Sequence, residues 1–322
     1  MIRFILPFLL LTTVLAIALP VQAAGSLTRT FVSSAGSDTN ACTITQPCAS
    51  FARAYSLTTA SGIITALDPG KYGPVTITGP VTINGNGWAA ITGPASDTAI
   101  IINANSGDKV ALFGLEIDGA NAPDSNGIQF NSGGSLNVQD SVIRNFGQSG
   151  IEFQPNTSTL SQLFVSNTLI SDNGSNGVNI TPVGSGTTNG VLDHVKMQNN
   201  GNDGLEISSN SGQTINVTVS DSVSANNVAD GINGNFNGGS ASVMVRNSTI
   251  ANNINKGFLM TSAVGGCVGV AGFTIRVSRS AITGNGTGWV NATCSGVVSY
   301  GDNNIDGNGA NNGTPPNPLV YH

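Results

Sequence analysis

The sequence predicts an all-β fold, a right-handed parallel β-helix solenoid with a short N-terminal capping helix. The first reason is a motif that recurs every 26 or 27 residues, since a fixed period of roughly 20–50 residues is typical of solenoids. The second reason is that apolar and polar residues alternate within each copy, which is typical of strands with one buried face. The third is the recurrence of Asn-Gly, Asp-Gly and Ser-Gly turn signals among few strong helix formers, which argues against a helical solenoid.

The composition excludes two classes of protein. Of the 322 residues, 39% are hydrophobic and only 9% are charged, unlike a disordered polyelectrolyte. The net charge is −6 and no run of Lys or Arg occurs, so the chain lacks the basic footprint of a nucleic-acid-binding protein. We therefore expect a folded protein that has no nucleic-acid partner.

The first residues have the pattern of a secretory signal peptide. Arg3 supplies a positive charge, residues 4–19 form an almost unbroken apolar run, and Val21-Gln22-Ala23 offers small residues for cleavage. An uncleaved membrane anchor is the alternative, but the run is slightly short to span a bilayer. We predict a signal peptide over residues 1–23 and a mature protein that is secreted, extracellular or periplasmic, without membrane association.

Export to an oxidising compartment makes disulfides the expected state of the four cysteines. These are Cys42, Cys48, Cys267 and Cys294. Four cysteines allow three pairings, of which Cys42 with Cys48 and Cys267 with Cys294 is the simplest. Zinc is a poorer alternative, because neither pair has the C-x-x-C spacing and few histidines are present to complete a site.

Five successive copies of the repeat occupy the centre of the chain. They begin at Val138, Val165, Leu192, Val219 and Val245. We number the positions within each copy as slots and call its first residue slot one. Slot three is polar in every copy, at Asp140, Asn167, His194, Asp221 and Asn247. Slot eight is Asn145, Asp172, Asn199, Asn226 and Asn252, and slot thirteen is Gly150, Gly177, Gly204, Gly231 and Gly257.

Weaker copies at both ends, including one from Val277, extend the array, which we predict to have eight or nine turns over residues 81–309. Residues 24–80 are then an N-terminal cap and first turn, and residues 310–322 a C-terminal tail.

Stacking of turns explains the polar slots. Successive turns of a parallel β-helix lie ~4.8 Å apart, so equivalent side chains are placed directly above one another. Asn in such a column passes amide hydrogen bonds from turn to turn and tolerates the left-handed backbone of sharp bends. We therefore interpret the recurrent Asn residues as a structural ladder rather than a binding motif.

Glycine in slot thirteen indicates a backbone position that disfavours a side chain. Leucine is too scarce for leucine-rich repeats, and steps of six, typical of a left-handed β-helix, are not visible.

The N-terminal region supplies the cap and resembles a known family. Residues 49–58 (ASFARAYSLT) predict a short helix with Phe51, Ala54 and Tyr55 on one face. The stretch TFVSSAGSDTNACTITQPCASFARAYSLTTASGIITALDPGKYGPVTI resembles the N-terminal region of secreted pectate-lyase-like β-helix proteins. The matching elements are Gly36-Ser37-Asp38, Pro47, Phe51 to Tyr55, Ile63 to Leu67 and Pro69-Gly70-Lys71-Tyr72. The later turns resemble the parallel β-helix repeat of the same superfamily. The resemblance implies the fold but no single activity, because the superfamily includes lyases, hydrolases, epimerases and non-catalytic surface proteins.

The catalytic motifs that this resemblance would imply are missing. No His-Gly or Arg-x-Lys pair of the polygalacturonase type occurs, and no Asp-Pro-His-Asp of the epimerase type. This absence favours a protein that is not an enzyme.

Alternation within the strands places a strip of polar side chains on one outer face. The first column is Gln129, Glu152, Asn179, Glu206 and Asn233. The second is Asn131, Gln154, Thr181, Ser208 and Asn235. Amides, hydroxyls and two acids suit hydrogen bonding to sugar hydroxyls, and the resemblance implies glycan binding on this face. An ordinary solvated sheet face is the alternative.

Candidate catalytic and metal-binding groups lie in or near this strip. Glu152 and Glu206 are two turns apart, about 9–10 Å between backbones, near the upper end of the ~6.5–9.5 Å typical of inverting glycosidases. His194 titrates near neutrality and is a candidate general base, although it also fits the slot-three column as a ladder member. Asp203, Glu206 and Asp230 lie on adjacent turns and are candidate Ca²⁺ ligands, or else separate solvated acids.

These observations favour a secreted, monomeric, non-catalytic β-helix protein that presents a polar face to glycan or cell-envelope material. The first alternative is a polysaccharide lyase or glycoside hydrolase with a site around Glu152, Glu206 and His194. The second is a structural or adhesive surface protein. We expect no cofactor, with Ca²⁺ as the one candidate ion.

Overall fold

The computed structural model describes residues 25–92, 98–123, 125–263, 272–292, 295–309 and 317–319. The predicted signal peptide, Cys267 and Cys294 lie outside these residues. The elements before the central repeats are β1 (Leu27–Val32), α1 (Phe51–Leu57), β2 (Thr58–Ala66), β3 (Gly70–Lys71), β4 (Val75–Ile77), β5 (Val81–Thr92), β6 (Ile100–Asn103) and β7 (Lys109–Ala122). No helix of the described residues is long and apolar enough to cross a membrane.

The central repeats consist of short strands. They are β8 (Ile128–Ser132), β9 (Ser135–Gln139), β10 (Val142–Phe146), β11 (Ile151–Phe153), β12 (Ser161–Ser166), β13 (Leu169–Ser171), β14 (Val178–Ile180), β15 (Thr187–Asp193), β16 (Lys196–Gln198), β17 (Leu205–Asn210), β18 (Thr214–Ser220) and β19 (Val223–Ala225). The remaining strands are β20 (Ile232–Asn237), β21 (Ser240–Arg246), β22 (Thr249–Ala251), β23 (Lys256–Ser262), β24 (Phe273–Ser278), β25 (Ala281–Thr283), β26 (Thr287–Val290), β27 (Ser295–Ser299), β28 (Asn304–Ile305) and β29 (Asn317–Pro318).

These strands form a right-handed parallel β-helix of about ten turns, which confirms the predicted fold. The predicted eight or nine turns are slightly too few, because the sequence motif is weak in the first turns. Each central turn has three faces. The first face contains β9, β12, β15, β18, β21, β24 and β27, and the second contains β10, β13, β16, β19, β22, β25 and β28, all within one 20-stranded sheet. The third face is a separate nine-stranded sheet of β4, β6, β8, β11, β14, β17, β20, β23 and β26.

The repeat positions stack in register, as the sequence predicts. The slot-one residues Val138, Val165, Leu192, Val219, Val245 and Val277 are paired from turn to turn on the first face. Slot three forms the bend between the first and second faces, and slot eight the bend between the second and third. In the five central copies every residue of these two slots has a left-handed backbone, with φ between 44° and 61°. Asn and Asp tolerate this conformation better than most residues, which explains their recurrence there.

A buried asparagine ladder runs along the corner between the second and third faces. Its members follow slot eight by one residue and are Asn173, Asn200, Asn227, Asn253, Asn285 and Asn308. In each step the amide Nδ2 and the backbone N–H of one Asn both donate to Oδ1 of the next, as Asn200 does to Asn227 at 3.0 Å. The ladder therefore satisfies buried backbone donors that have no strand partner at the corner.

Slot-thirteen glycines are required by close packing against this ladder. A Cβ added to Gly204 would lie 1.9 Å from Ser224 Oγ and 2.9 Å from Asn227 Nδ2. A Cβ on Gly231 would lie 2.8 Å from Asn253 Nδ2 and 2.7 Å from the Gly257 carbonyl oxygen. The glycines thus leave room for the ladder amides, which confirms the predicted exclusion of a side chain.

The solenoid interior is filled by side chains from all three faces. Val, Ile, Leu and Phe point inward on alternate strand positions, and Phe130 stacks on Phe153 of the next turn with ring centroids 4.4 Å apart. Each such fully buried side chain contributes roughly 1.5–3 kcal/mol relative to an exposed one.

The predicted helix caps the N-terminal end. Phe51 and Ala54 of α1 are buried, and the Phe51 ring packs on Tyr72 at 5.2 Å. The Asp38 carboxylate accepts the N–H groups of Ala49 and Ser50 ahead of the helix, at 2.9 Å each. A Cys42–Cys48 disulfide closes the preceding loop, with Cα atoms 4.7 Å apart. The first predicted pairing is therefore confirmed.

At the C-terminal end, part of the predicted tail joins the sheet. Asn317 and Pro318 form β29, which pairs with Val298 and Ser299 of β27.

Candidate functional site

The third face carries the predicted strip of polar side chains. We call the outward residues of both predicted columns, Gln129 to Asn233 and Asn131 to Asn235, the polar face. Strand register aligns the first column across five turns, from β8 to β20. In the same column, Ile101 precedes Gln129 and Leu259 follows Asn233, so that the polar stretch ends at apolar residues on both sides.

A third line of polar residues borders the polar face where the chain enters each strand. It occupies slot twelve and consists of Ser149, Asn176, Asp203, Asp230 and Lys256. Asp203 Oδ1 accepts the N–H of Asp230 at 2.9 Å, and Asp230 Oδ1 accepts the N–H of Lys256 at 2.9 Å. These two acids therefore act as acceptors between turns. Asn176 was not among the predicted site residues, although slot twelve is polar in every central copy and this recurrence could have identified it.

Amide groups hold each carboxylate of this region. Glu152 Oε1 accepts Nδ2 of Asn179 at 2.8 Å and the hydroxyl of Thr181 at 3.3 Å. The two oxygens of Glu206 accept Nδ2 of Asn176 at 2.7 Å and Nδ2 of Asn235 at 2.8 Å. Since these donors come from neighbouring turns, the acids and amides form one network across the face.

The same carboxyls are mostly shielded from water. Asp203 is 1% exposed, and its burial, with the nearby charges of Asp230 and Glu206, raises its pKa to about 6 despite a 2.9 Å hydrogen bond from Asn233. Burial also raises the pKa of Glu152, which is 8% exposed, and the charge of Glu206 adds to this effect. The pKa of Asp230 is raised by burial too, against the lowering effect of the Lys256 N–H and charge. Burial of a carboxyl disfavours its charged form.

The more accessible groups of the polar face are neutral, apart from Glu206. The side chains of Gln129, Asn179, Asn233, Gln154 and Asn235 are all partly exposed. Gln154 donates to the hydroxyl of Thr181 at 3.2 Å, and Asn235 donates to Ser208 Oγ at 3.2 Å. Glu152 belongs to the first column by register, but its neighbours cover it. The face presented to solvent is therefore largely one of amides and hydroxyls.

The structure separates His194 from the other two catalytic candidates. His194 lies at the slot-three bend between the first and second faces, whereas Glu152 and Glu206 lie on the third face. Its side chain is 63% exposed, and its Nδ1 is 2.9 Å from Asp193 Oδ2. The predicted grouping of Glu152, Glu206 and His194 in one site is thus not formed, because a second-face strand separates the slot-three bend from the third face in each turn.

The candidate Ca²⁺ ligands are close enough to influence one another but are already hydrogen-bonded. Both oxygens of Asp203 and both oxygens of Glu206 accept N–H groups. Asp230 accepts the N–H of Lys256. Ca²⁺ takes 6–8 oxygen ligands, and every carboxylate oxygen of Asp203 and Glu206 already accepts an N–H group.

Comparison with known proteins places this geometry in a family. The sequence model described as "Right handed beta helix region" matches residues 98–267, which is more than half of the 322-residue chain. A search among curated protein sequences found no match.

Several solved structures are similar. The crystal structure of pectate lyase Pel9A has a TM-score of 0.63 and 14% identity, over 93% of this chain and 80% of that chain. The A-module of the Azotobacter vinelandii mannuronan C-5 epimerase AlgE4 has a TM-score of 0.49 and 15% identity, over 81% of this chain and 91% of that chain. The periplasmic alginate epimerase AlgG has a TM-score of 0.48 and 11% identity, over 74% of this chain and 59% of that chain. The chain therefore belongs to the right-handed β-helix family, and it shares the pectate-lyase-like fold.

Proposed function

We propose that this is an exported glycan-binding protein that holds a polysaccharide along the polar face without cleaving it. One observation carries the proposal: the first column is in register over five turns, and three of its members, together with Gln154 and Asn235 of the second column, are partly exposed amides. Turns repeat at ~4.8 Å, and alternate residues of a strand at roughly 6.6 Å, so that the face is a regular grid of hydrogen-bonding groups. A repeating ligand such as a polysaccharide matches a repeating grid.

Export is part of this proposal. The N-terminal sequence has the pattern of a signal peptide, and the Cys42–Cys48 disulfide is typical of proteins from oxidising compartments.

Charge favours a neutral or amino-bearing glycan over an acidic one. Glu152, Asp203, Glu206 and Asp230 lie on or beside the polar face, whereas Lys256 is the one basic residue of the two columns and the bordering slot-twelve line. A surface of one sign of charge repels ligands of the same sign, most strongly at low ionic strength. An acidic polymer such as pectate is therefore disfavoured, although a pectate lyase has a similar fold.

A polysaccharide hydrolase or lyase is the second candidate, because a buried acid with a raised pKa is what a general acid needs. Asp203, with a pKa of about 6, lies beside Glu206. However, Asp203 is 1% exposed and both of its oxygens are hydrogen-bonded, so that it cannot reach a ligand on the face as it stands. This burial is why we place binding before catalysis.

Retention of the mature protein on insoluble neutral, amino-bearing and acidic polysaccharides tests the proposal, with and without Ca²⁺. The double variant Gln154→Ala/Asn235→Ala removes two exposed hydrogen-bonding groups of the polar face. At about 0.5–1.5 kcal/mol for each lost bond, we expect roughly 10-fold weaker retention on neutral or amino-bearing glycans. Gln162→Ala is the matched control, because Gln162 is an exposed amide on the first face, and it should leave retention unchanged.

The same incubations measure turnover through reducing ends and unsaturated products. Retention without turnover supports the binding function. Turnover that Glu206→Gln abolishes would show the enzyme instead. Neither retention nor turnover on any glycan would contradict both functions and leave a structural or adhesive surface protein.

A further inference from the structure

A group of metal-ligating side chains lies far from the polar face, at the slot-three bend between the first and second faces. Asp193 ends β15, His194 occupies the bend, and Asp221 takes the same position one turn later. One ligand atom from each of these three residues lies within 4.8 Å of the other two. In the other central copies, slot three holds Asn or Asp, so that only this copy brings an imidazole into the column.

The separation of the ligand atoms suits a single ion. His194 Nδ1 and Asp193 Oδ2 are 2.9 Å apart. Two ligands with bonds of about 2.0–2.1 Å to the same ion lie roughly 2.9–3.4 Å apart, depending on the angle between the bonds. The 2.9 Å contact is a hydrogen bond, so an ion that displaces its proton can keep both atoms as one edge of a coordination polyhedron. Asp221, whose ligand atom lies within 4.8 Å of both, has to move closer to complete a triangle.

Outer hydrogen bonds hold both carboxylates in place. The Ser220 hydroxyl donates to Asp193 Oδ1 at 2.6 Å, which leaves Oδ2 directed at the imidazole. Asn247 Nδ2 approaches Asp221 Oδ1 at 3.4 Å from the following turn. Such second-shell contacts orient metal ligands and are usual around metal sites.

The local charge also favours a cation. Asp193 and Asp221 each place a carboxylate oxygen within 4.8 Å of a His194 ring nitrogen. Arg246 is paired in register with Ser220 and is the opposing cation near this bend. Two acidic charges and one neutral imidazole leave a net negative site.

We propose that Asp193, His194 and Asp221 bind one divalent transition-metal ion of the zinc class on the solenoid surface, with water completing the coordination. Mixed nitrogen and oxygen ligands suit Zn²⁺, Co²⁺ or Ni²⁺ better than Ca²⁺ or Mg²⁺, which prefer oxygen alone. The site is independent of the glycan-binding proposal, because it lies on a different corner of each turn.

Calorimetric titration of the tag-free mature protein with Zn²⁺, and visible absorption on addition of Co²⁺, test this site. We expect one ion per chain in the native protein. His194→Asn should weaken binding at least about 10-fold, since loss of even a second-shell partner of a metal ligand typically costs 10–100-fold. Asn occupies slot three in two other copies, at Asn167 and Asn247, so the variant keeps a residue that the bend accepts.

Acid-to-amide variants in the same column provide the internal comparison. Asp221→Asn should also weaken Zn²⁺ binding, whereas Asp140→Asn, two turns before His194, should leave it unchanged. Equal binding in native protein, His194→Asn and Asp221→Asn would overturn the proposal, as would the absence of Zn²⁺ and Co²⁺ binding by the native protein. Circular dichroism of each variant confirms that a loss of binding is not a loss of fold.

Discussion

Replacing Asn227 by Ala is expected to lower the free energy of unfolding by about 4 kcal/mol, because several buried hydrogen bonds are lost together. Asn227 lies in the middle of the ladder and is completely buried. Its Oδ1 accepts both Nδ2 and the backbone N–H of Asn200 at 3.0 Å, and its own Nδ2 donates to Asn253 Oδ1 at 2.9 Å. Alanine removes this acceptor, which leaves the buried backbone N–H of Asn200 unpaired and its Nδ2 with only a 3.5 Å contact to the Ile170 carbonyl oxygen.

Urea-induced unfolding followed by circular dichroism measures this loss. Asn216→Ala is the matched control, because the Asn216 amide also donates to an Asn one turn away, Asn189, at 3.1 Å, but on the exposed first face. We expect the control to change stability by less than about 1 kcal/mol. If the two variants lose the same stability, the buried ladder is not a special source of stability.

Asp203→Asn should stabilise the protein at neutral pH by about 2–3 kcal/mol and lose this advantage in acid. The folded pKa of Asp203, about 6, lies above the ordinary value of 3.8. Above the folded pKa the buried carboxyl is ionised and destabilises the fold. As the pH falls from about 6 to about 4, the folded state takes up the proton before the unfolded state does, and the destabilisation disappears.

The asparagine fits because Asn176 already occupies the same slot one turn earlier. Asn233 Oδ1 accepts no hydrogen bond from the described residues, so a rotated Asn233 amide can accept from the new Nδ2. Chemical unfolding at about pH 7.5 and about pH 4 checks the prediction. Asp172→Asn, at an exposed slot-eight bend, is the control and should show no such pH dependence. Stability differences for Asp203→Asn that are equal at both pH values would contradict a raised pKa.

Much of the architecture was predictable, because the repeat relates residues one turn apart. The strand alternation correctly placed Asn179 between Glu152 and Glu206. The inward-pointing ladder was harder to locate, since Asn199-Asn200 and Asn226-Asn227 are adjacent pairs with one bend residue and one buried residue each. From Asn173 onward, the position after slot eight is Asn in every turn, whereas slot eight itself is not. This constancy distinguishes the buried ladder residue from the bend residue before it.

How deeply the acidic side chains of the third face are buried could not be predicted from the sequence. A period of two tells on which side of a strand a residue lies, but not how far its neighbours cover it. Asn179 and Thr181 cover Glu152, and Asn233 donates a hydrogen bond to Asp203. Both carboxyls are therefore shielded from water although they border an outer face. Nor does the spacing along one turn reveal that His194 lies on another corner, because that depends on where the chain bends.

In-register stacking has a consequence for how such a protein can change size. The 26-residue copy differs from its 27-residue neighbours by one residue, and this deletion falls in the loop between Asn237 and Ser240, where the preceding turn has Asn210 and Thr214. Duplicating or deleting one whole unit would therefore lengthen or shorten the protein by ~4.8 Å and leave every remaining contact between neighbours intact. The length of the polar face that can contact a polymer is then set by the number of repeat copies. Tandem duplication can change this length while the same residue types are kept.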